Sequence, residues 1–140
     1  MPEIRVAQPE DRKAIQGIYH ALVGPSADQD EARWDRLIQQ GGVVVATEEG
    51  RMVGFGGIDV LAVEQVRWLY LLPQYQGAGV GSEILERLER IGWGAGLESL
   101  RVHSAPGAAN FYRKQGYRLV ETAARMGHDH EGVEMMKDRQ

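Results

Sequence analysis

At 140 residues, with 43% hydrophobic and 26% charged side chains, the chain has the size and mixture of one compact domain spanning 1–140, which excludes collagen-like, low-complexity and wholly disordered classes. Twenty acidic against sixteen basic residues leave a formal charge of −4, so a broad nucleic-acid surface, which needs clustered Lys and Arg, is not expected. Cysteine is absent, which removes disulfides, thiolate metal sites and Cys nucleophiles, and no apolar window has the length of a signal peptide or of a ~20-residue membrane span, so the expectation is a cytoplasmic protein without a membrane partner.

In chain order, Ile4 to Ala7 reads as a short strand, and Pro9-Glu10-Asp11 suits a first helical turn, whose orphan N–H groups favour negative charge. Ala14, Ile15, Ile18, Tyr19 and Leu22 fall on one helical face, ended by Gly24-Pro25. Ser26 to Glu31 is a polar acidic segment. A second amphipathic helix carries Ala32, Trp34, Leu37 and Ile38 and stops at Gly41-Gly42.

Val43 to Thr47, the turn Glu48 to Arg51, and Met52 to Val60 form a hairpin. The apolar run Val66 to Leu72 has the pattern of a central strand covered on both faces, and Pro73 ends it. Ile84, Leu85, Leu88 and Ile91 mark a helix halted by Gly92, Gly94 and Gly96. Leu97 to His103 reads as a strand, Gly107 to Gln115 as a short helix, Tyr117 to Glu121 and Val133 to Lys137 as strands, with Met126 to Gly132 joining the last hairpin. The alternation predicts an α/β layer with a mixed sheet.

The segment Gln76-Gly77-Ala78-Gly79-Val80-Gly81-Ser82 follows the central strand and opens a helix, an arrangement that cradles anions with backbone N–H groups and the helix dipole. An ATP-binding loop needs Lys before Ser82, where Gly81 stands, and a dinucleotide fingerprint needs Gly at position 82. Gln76-x-x-Gly79-x-Gly81, after Leu69-Tyr70-Leu71-Leu72-Pro73, instead resembles the acetyl-coenzyme A signature of the GNAT superfamily of N-acetyltransferases. Ile4-Arg5-x-Ala7 with Asp11 and Ile15, Ala108-x-x-Phe111-Tyr112-x-x-x-Gly116-Tyr117, and Met136-Lys137 resemble that family's opening, late helix and closing strand in order.

The resemblance implies a single GNAT-like domain: a mixed, mostly antiparallel sheet with a central splayed parallel strand pair and helices on both faces. It implies acetyl-CoA as co-substrate, held by Leu69, Tyr70, Leu71, Gln76, Gly77, Ala78, Gly79, Val80, Gly81 and Ser82. Leu69 and Leu71 N–H would pair with the pantetheine arm, and Leu71 N–H would stabilise the oxyanion. Tyr112 would be the general acid, since a phenol can protonate a departing thiolate. Glu64 would be the base, with Asp59 and His103 as alternatives. Gln65 stands where the family often has Glu, and Ala105 where it often has Asn.

No metal is expected: His128-Asp129-His130-Glu131 reads as a wet turn. Trp34, Trp68 and Trp93 read as packing residues, and Arg113 and Lys114 either reach cofactor phosphates or form a solvated helix face. Asp28, Asp30 and Glu31 would attract a cationic acceptor. The expected activity is transfer of acetyl from acetyl-CoA directly to a primary amine of a small molecule, polyamine or peptide. A noncatalytic acetyl-CoA sensor on the same fold is the alternative, a nicotinamide-dependent oxidoreductase a distant third, and a homodimer is left open.

Overall fold

The computed structural model describes residues 2–24, 30–120 and 132–140. In chain order they form β1 (Glu3–Val6), α1 (Arg12–Val23), α2 (Glu31–Gln39), β2 (Val43–Glu48), β3 (Arg51–Ile58), β4 (Val66–Leu71), α3 (Val80–Gly94), β5 (Ser99–Ser104), α4 (Ala109–Lys114), β6 (Arg118–Leu119) and β7 (Val133–Asp138). Among the described residues the strands make one sheet in the order β1-β2-β3-β4-β5-β7-β6. All neighbours are antiparallel except β4 and β5, which run parallel at the centre. The expected mixed sheet with a central parallel pair is therefore present.

Strand alternation divides the core between two faces. Val44 and Ala46 pack with Val80, Ile84, Leu85 and Leu88 of α3, while Val43 and Val45 pack with Ile15 and Tyr19 of α1 and Trp34, Leu37 and Ile38 of α2. Trp34 stacks on Trp68 with ring centroids 3.9 Å apart, and Trp93 packs on the α3 side, so these rings are packing residues as their apolar surroundings suggested. At the far side of α3, buried Glu89 accepts from the Tyr117 hydroxyl at 3.0 Å and from Lys137 Nζ at 3.2 Å, tying the helix to β7.

Turns follow local chemistry. Asp11 accepts both guanidinium nitrogens of Arg5, at 2.8 and 3.0 Å, and the Gln8 N–H at 2.7 Å, which joins β1 to the turn before α1. Asp30 caps α2 by accepting the Arg33 N–H. After α2, Gly41 adopts φ +76°, and a Cβ on Gly42 would lie 2.6 Å from the Ile58 carbonyl oxygen, so the glycine pair answers both to backbone conformation and to close approach.

One irregularity sets the orientation of β4. Ile58 faces Val66 and Gly57 faces Trp68, so Arg67 is an extra residue on the β4 side. Val66 packs toward α3, Trp68 toward α1 and α2, and beyond the bulge Leu69 and Leu71 return to the α3 side while Tyr70 faces α1. Without the bulge, Val66 and Trp68 would share a face.

Two expectations differ in detail. The helix α3 continues through Gly92 to Gly94, because a side chain at 92 would meet Leu100 at 2.9 Å and Ile58 at 3.2 Å; that glycine serves helix-to-sheet packing, not termination. Strand β6 covers only Arg118–Leu119, although Val120 N–H still donates to the Glu134 carbonyl at 2.9 Å. The expected loop Met126 to Gly132 lies outside the described residues except for Gly132. No helix of the described residues is long and apolar enough to cross a membrane.

Candidate active site

The site begins where β4 and β5 part. Val66 and Val102 are their single paired position among the described residues. Next to it the Gln65 side chain bridges the strands, its Oε1 accepting the Arg101 N–H at 2.9 Å. Beyond Val66, the Leu72 N–H donates to Val53 on β3. Backbone N–H groups alternate along a strand, so those of Leu69 and Leu71 face the other way, into the opening.

Below this opening lies the glycine turn. Gly77 and Gly79 have φ of +84° and +86°, a region that residues with a Cβ enter only with strain. Gly79 is the N-cap of α3, and the first helical bond runs from Glu83 N–H to the Gly79 carbonyl. The N–H groups of Val80, Gly81 and Ser82 therefore have no intrahelical acceptor and sit at the positive end of a fifteen-residue helix. Gly81 answers to a different need: a Cβ there would lie 3.3 Å from Leu71 Cδ1 and 3.6 Å from the Phe111 ring. Gln115 steadies the turn by donating to Ser82 Oγ at 2.9 Å, and Gln76 Nε2 reaches back to the Leu71 carbonyl at 3.4 Å.

A cleft of about 470 Å³ joins these parts, bounded by Leu69 and Leu71 on one side, Gln76, Gly77, Gly79, Gly81 and Ser82 at its base, and Ala108, Phe111, Tyr112, Lys114 and Gln115 on the other side. Its walls thus offer strand N–H groups, a helix N-terminus and one cation in a largely apolar channel. Tyr112 is 6% exposed, edge-on to Phe111 and Tyr117. Burial, with a smaller push from Tyr70, holds its phenol well above the ordinary value near 10, so it carries its proton at neutral pH.

Of the residues expected here, Leu69, Leu71, Gln76, Gly77, Gly79, Gly81, Ser82 and Tyr112 line the cleft, and Lys114 joins them. Tyr70, Ala78 and Val80 are not among the lining residues; the Tyr70 ring lies 5.2 Å from that of Tyr19 on the α1 face, and Val80 is buried under the sheet. Asp59 binds Arg36 at 3.0 Å and accepts the Leu61 N–H. Burial opposes its ionisation, yet these partners outweigh it and its carboxyl stays below the usual range.

Glu64 lies 3.9 Å from His103 Nδ1, and Glu134 lies 3.4 Å from the same atom. Arg113 donates to Asn110 on its own helix. The Ala105 carbonyl accepts the Ala108 N–H in the turn before α4. Of the acidic segment, Glu31 pairs with Arg12 at 2.7 Å, and Asp28 lies outside the described residues, as does the His128 to Glu131 run. Gln115 and Glu134 were not singled out from the sequence, and Phe111 entered only as a member of the late-helix motif, without a place in the site; nothing in a Gln and a Glu at those positions distinguishes them before the chain is folded.

Residues 39–119 match the family model described as Acetyltransferase (GNAT) domain. A Bacillus subtilis (strain 168) protein named provisionally as an acetyltransferase is 34% identical over 78 residues, 56% of this chain and 48% of that protein, so the chain spans about half the length of this relative. The uncharacterized protein YyaT of Bacillus subtilis (strain 168) is 30% identical over 111 residues, 79% of this chain and 75% of that one. The structure of PaiA N-acetyltransferase from Thermoplasma acidophilum, solved in complex with coenzyme A, superposes with a TM-score of 0.72 at 17% identity, covering 99% of each chain. That likeness shows a shared fold.

Proposed function

The chain belongs to the GNAT acetyltransferase domain family, and from that premise we propose that it is an N-acetyltransferase that moves the acetyl group of acetyl-CoA directly to a primary amine of a small molecule, polyamine or peptide. The observation that carries this reading is the cleft itself, in which the unpaired inner edge of β4, the glycine turn at the head of α3 and the Tyr112 phenol meet. The fit is physical. Positive-φ glycines expose N–H groups to a diphosphate at the helix's positive end, and the free edge of β4 suits an amide-bearing arm that adds as a strand.

Acetyl-CoA supplies an acetyl thioester, activated toward amines. In this reading Gln76 to Ser82 hold the diphosphate, and Leu69 N–H pairs with the amide arm. Leu71 N–H donates to the thioester carbonyl oxygen, a role in which one donor is worth ~3 kcal/mol. Tyr112, protonated at neutral pH, hands its proton to the leaving sulfur, whose own acidity drops in the same apolar surroundings. Glu64, with its side chain 32% exposed, takes the proton of the acceptor ammonium through water. With no Cys in the chain, transfer needs no acyl-cysteine stage.

The alternative of a noncatalytic acetyl-CoA sensor has one specific support, the Gln65 amide engaged with the β5 backbone at the position where family members often carry an acid. One assay decides between them. Thiol release is measured across a panel of amines and peptide N-termini, beside direct calorimetry of coenzyme A binding. Amine-dependent thiol release is expected; binding without release returns the sensor, and absence of binding removes both readings.

A further inference from the structure

We propose that Glu64, His103 and Glu134 form a binding site for a divalent transition-metal cation of the zinc type, separate from the glycine-turn cleft. The ligand atoms come from three segments distant in sequence. His103 on β5 and Glu134 on β7 are cross-strand partners, so their side chains share one face of the sheet. Their neighbours Val102 and Met135 point into the α3-side core, which places the pair on the opposite face. Glu64 enters from the turn leading into β4, beside the Val66 to Val102 junction.

One imidazole nitrogen confronts both carboxylates. His103 Nδ1 is 3.4 Å from Glu134 Oε1 and 3.9 Å from Glu64 Oε2, and one ligand atom from each residue lies within 4.8 Å of the others. A tetrahedral cation about 2.1 Å from each ligand sets them about 3.4 Å apart, a spacing that His103 and Glu134 already have, so a movement of the Glu64 side chain of up to about 1.4 Å completes the set. A proton on Nδ1 can point at only one carboxylate; a dication between them serves both. The Glu134 side chain is 12% exposed, and its Oε2 is shut off from water with no hydrogen-bond partner among the described residues. An orphaned carboxylate oxygen of this kind favours a cation.

The ring is also wedged in place. A Cβ at residue 132 would lie 2.4 Å from His103 Nε2 and 2.8 Å from the Ser104 carbonyl, so the backbone of Gly132 closes off the Nε2 side and leaves Nδ1 toward the acids. The 40% exposure of the His103 side chain and 32% of Glu64 provide an entry path. An imidazole with two carboxylates is a borderline-to-hard donor set that suits Zn²⁺, and three protein ligands leave a fourth position open. A cation bound here engages the Glu64 lone pairs, so metal binding and turnover exclude each other. That corollary rests on the transferase reading; the metal site does not.

The test uses the full chain, freed of metal by a chelator and titrated with Zn²⁺ against a chromophoric chelator, with unfolding temperature as a second readout. One zinc per chain that raises the unfolding temperature is expected. Glu134→Gln, which preserves shape, and His103→Ala should each weaken zinc binding about tenfold or more, while a His128→Ala/His130→Ala double variant binds as the parent does. Zinc affinity unchanged in Glu134→Gln or His103→Ala, or abolished in the double variant, would overturn the site. Zinc should also lower amine-dependent turnover of the parent and spare Glu134→Gln. Bound zinc with full turnover would instead remove Glu64 from its proton-accepting role and leave the metal site standing.

Discussion

Gln65 Oε1 accepts the backbone N–H of Arg101 at 2.9 Å, so a side chain reinforces the junction of β4 and β5 beside Val66 and Val102, their single main-chain pairing among the described residues. The Gln65 amide also donates to the Ala62 carbonyl at 3.1 Å, which fixes its orientation. Gln65→Ala strands the Arg101 N–H and should lower unfolding stability by about 1–2 kcal/mol. Gln65→Glu keeps an acceptor oxygen and should cost less. Urea titration of the two variants checks the order.

Tyr112→Phe retains the ring packing against Phe111 and Tyr117 and removes only the hydroxyl. Turnover is expected to fall about 100-fold while coenzyme A affinity stays within about threefold of the parent. Steady-state thiol release and calorimetry separate the two quantities. Undiminished turnover would take the acid role from this residue.

Gly79 and Gly81 should fail differently. Gly79 sits at φ +86°, where an Ala costs about 1–2 kcal/mol and an Asn costs less, so Gly79→Asn should unfold later than Gly79→Ala. Gly81 is helical, and its constraint is space, with Leu71 Cδ1 3.3 Å from a built Cβ. Gly81→Val is expected to weaken coenzyme A binding about tenfold or more by crowding the cradle. Thermal unfolding and calorimetry on the three variants distinguish conformational from steric loss.

The Arg5 to Asp11 pair predicts a pH dependence. The hydrogen bonds from Arg5, opposed by burial and aided by the Gln8 N–H, hold the Asp11 carboxyl below its ordinary value near 4. A depressed folded-state pKa contributes stability that is full above the unfolded value and is lost as pH falls below it toward the folded value. Asp11→Asn should therefore be less stable than the parent by about 1–2 kcal/mol at pH 7, with the gap narrowing below about pH 4. Denaturant titrations at pH 7, 4 and 3 test the sign.

Much of the fold could be read from the chain because its signals are local. Apolar spacing marked α1, α2 and α3, and the glycines at 77 and 79 announced a turn whose backbone only they adopt without strain. What escaped depends on contacts between remote positions. Gly92 looked like a helix stop but is a contact with Leu100 and Ile58, and the turn was braced by Gln115, thirty-three residues from Ser82. Glu64, His103 and Glu134 carry no common motif; only the pairing of β5 with β7 brings the last two together. The extra residue in β4 was equally hidden, since period-two counting cannot see an insertion inside an unbroken apolar run.

That extra residue, Arg67, acts as a parity switch within a single strand. Downstream of it, odd-numbered side chains at 69 and 71 look toward the proposed donor cleft while even-numbered ones at 68 and 70 look toward the α1 and α2 side. Changes on one set can thus retune one half of a two-substrate reaction while leaving the other half alone. Excising Arg67 would set Val66 directly before Trp68, and ordinary alternation would then keep every side chain on its present side, whereas flattening the bulge with Arg67 retained would hand one end of the strand to the opposite audience.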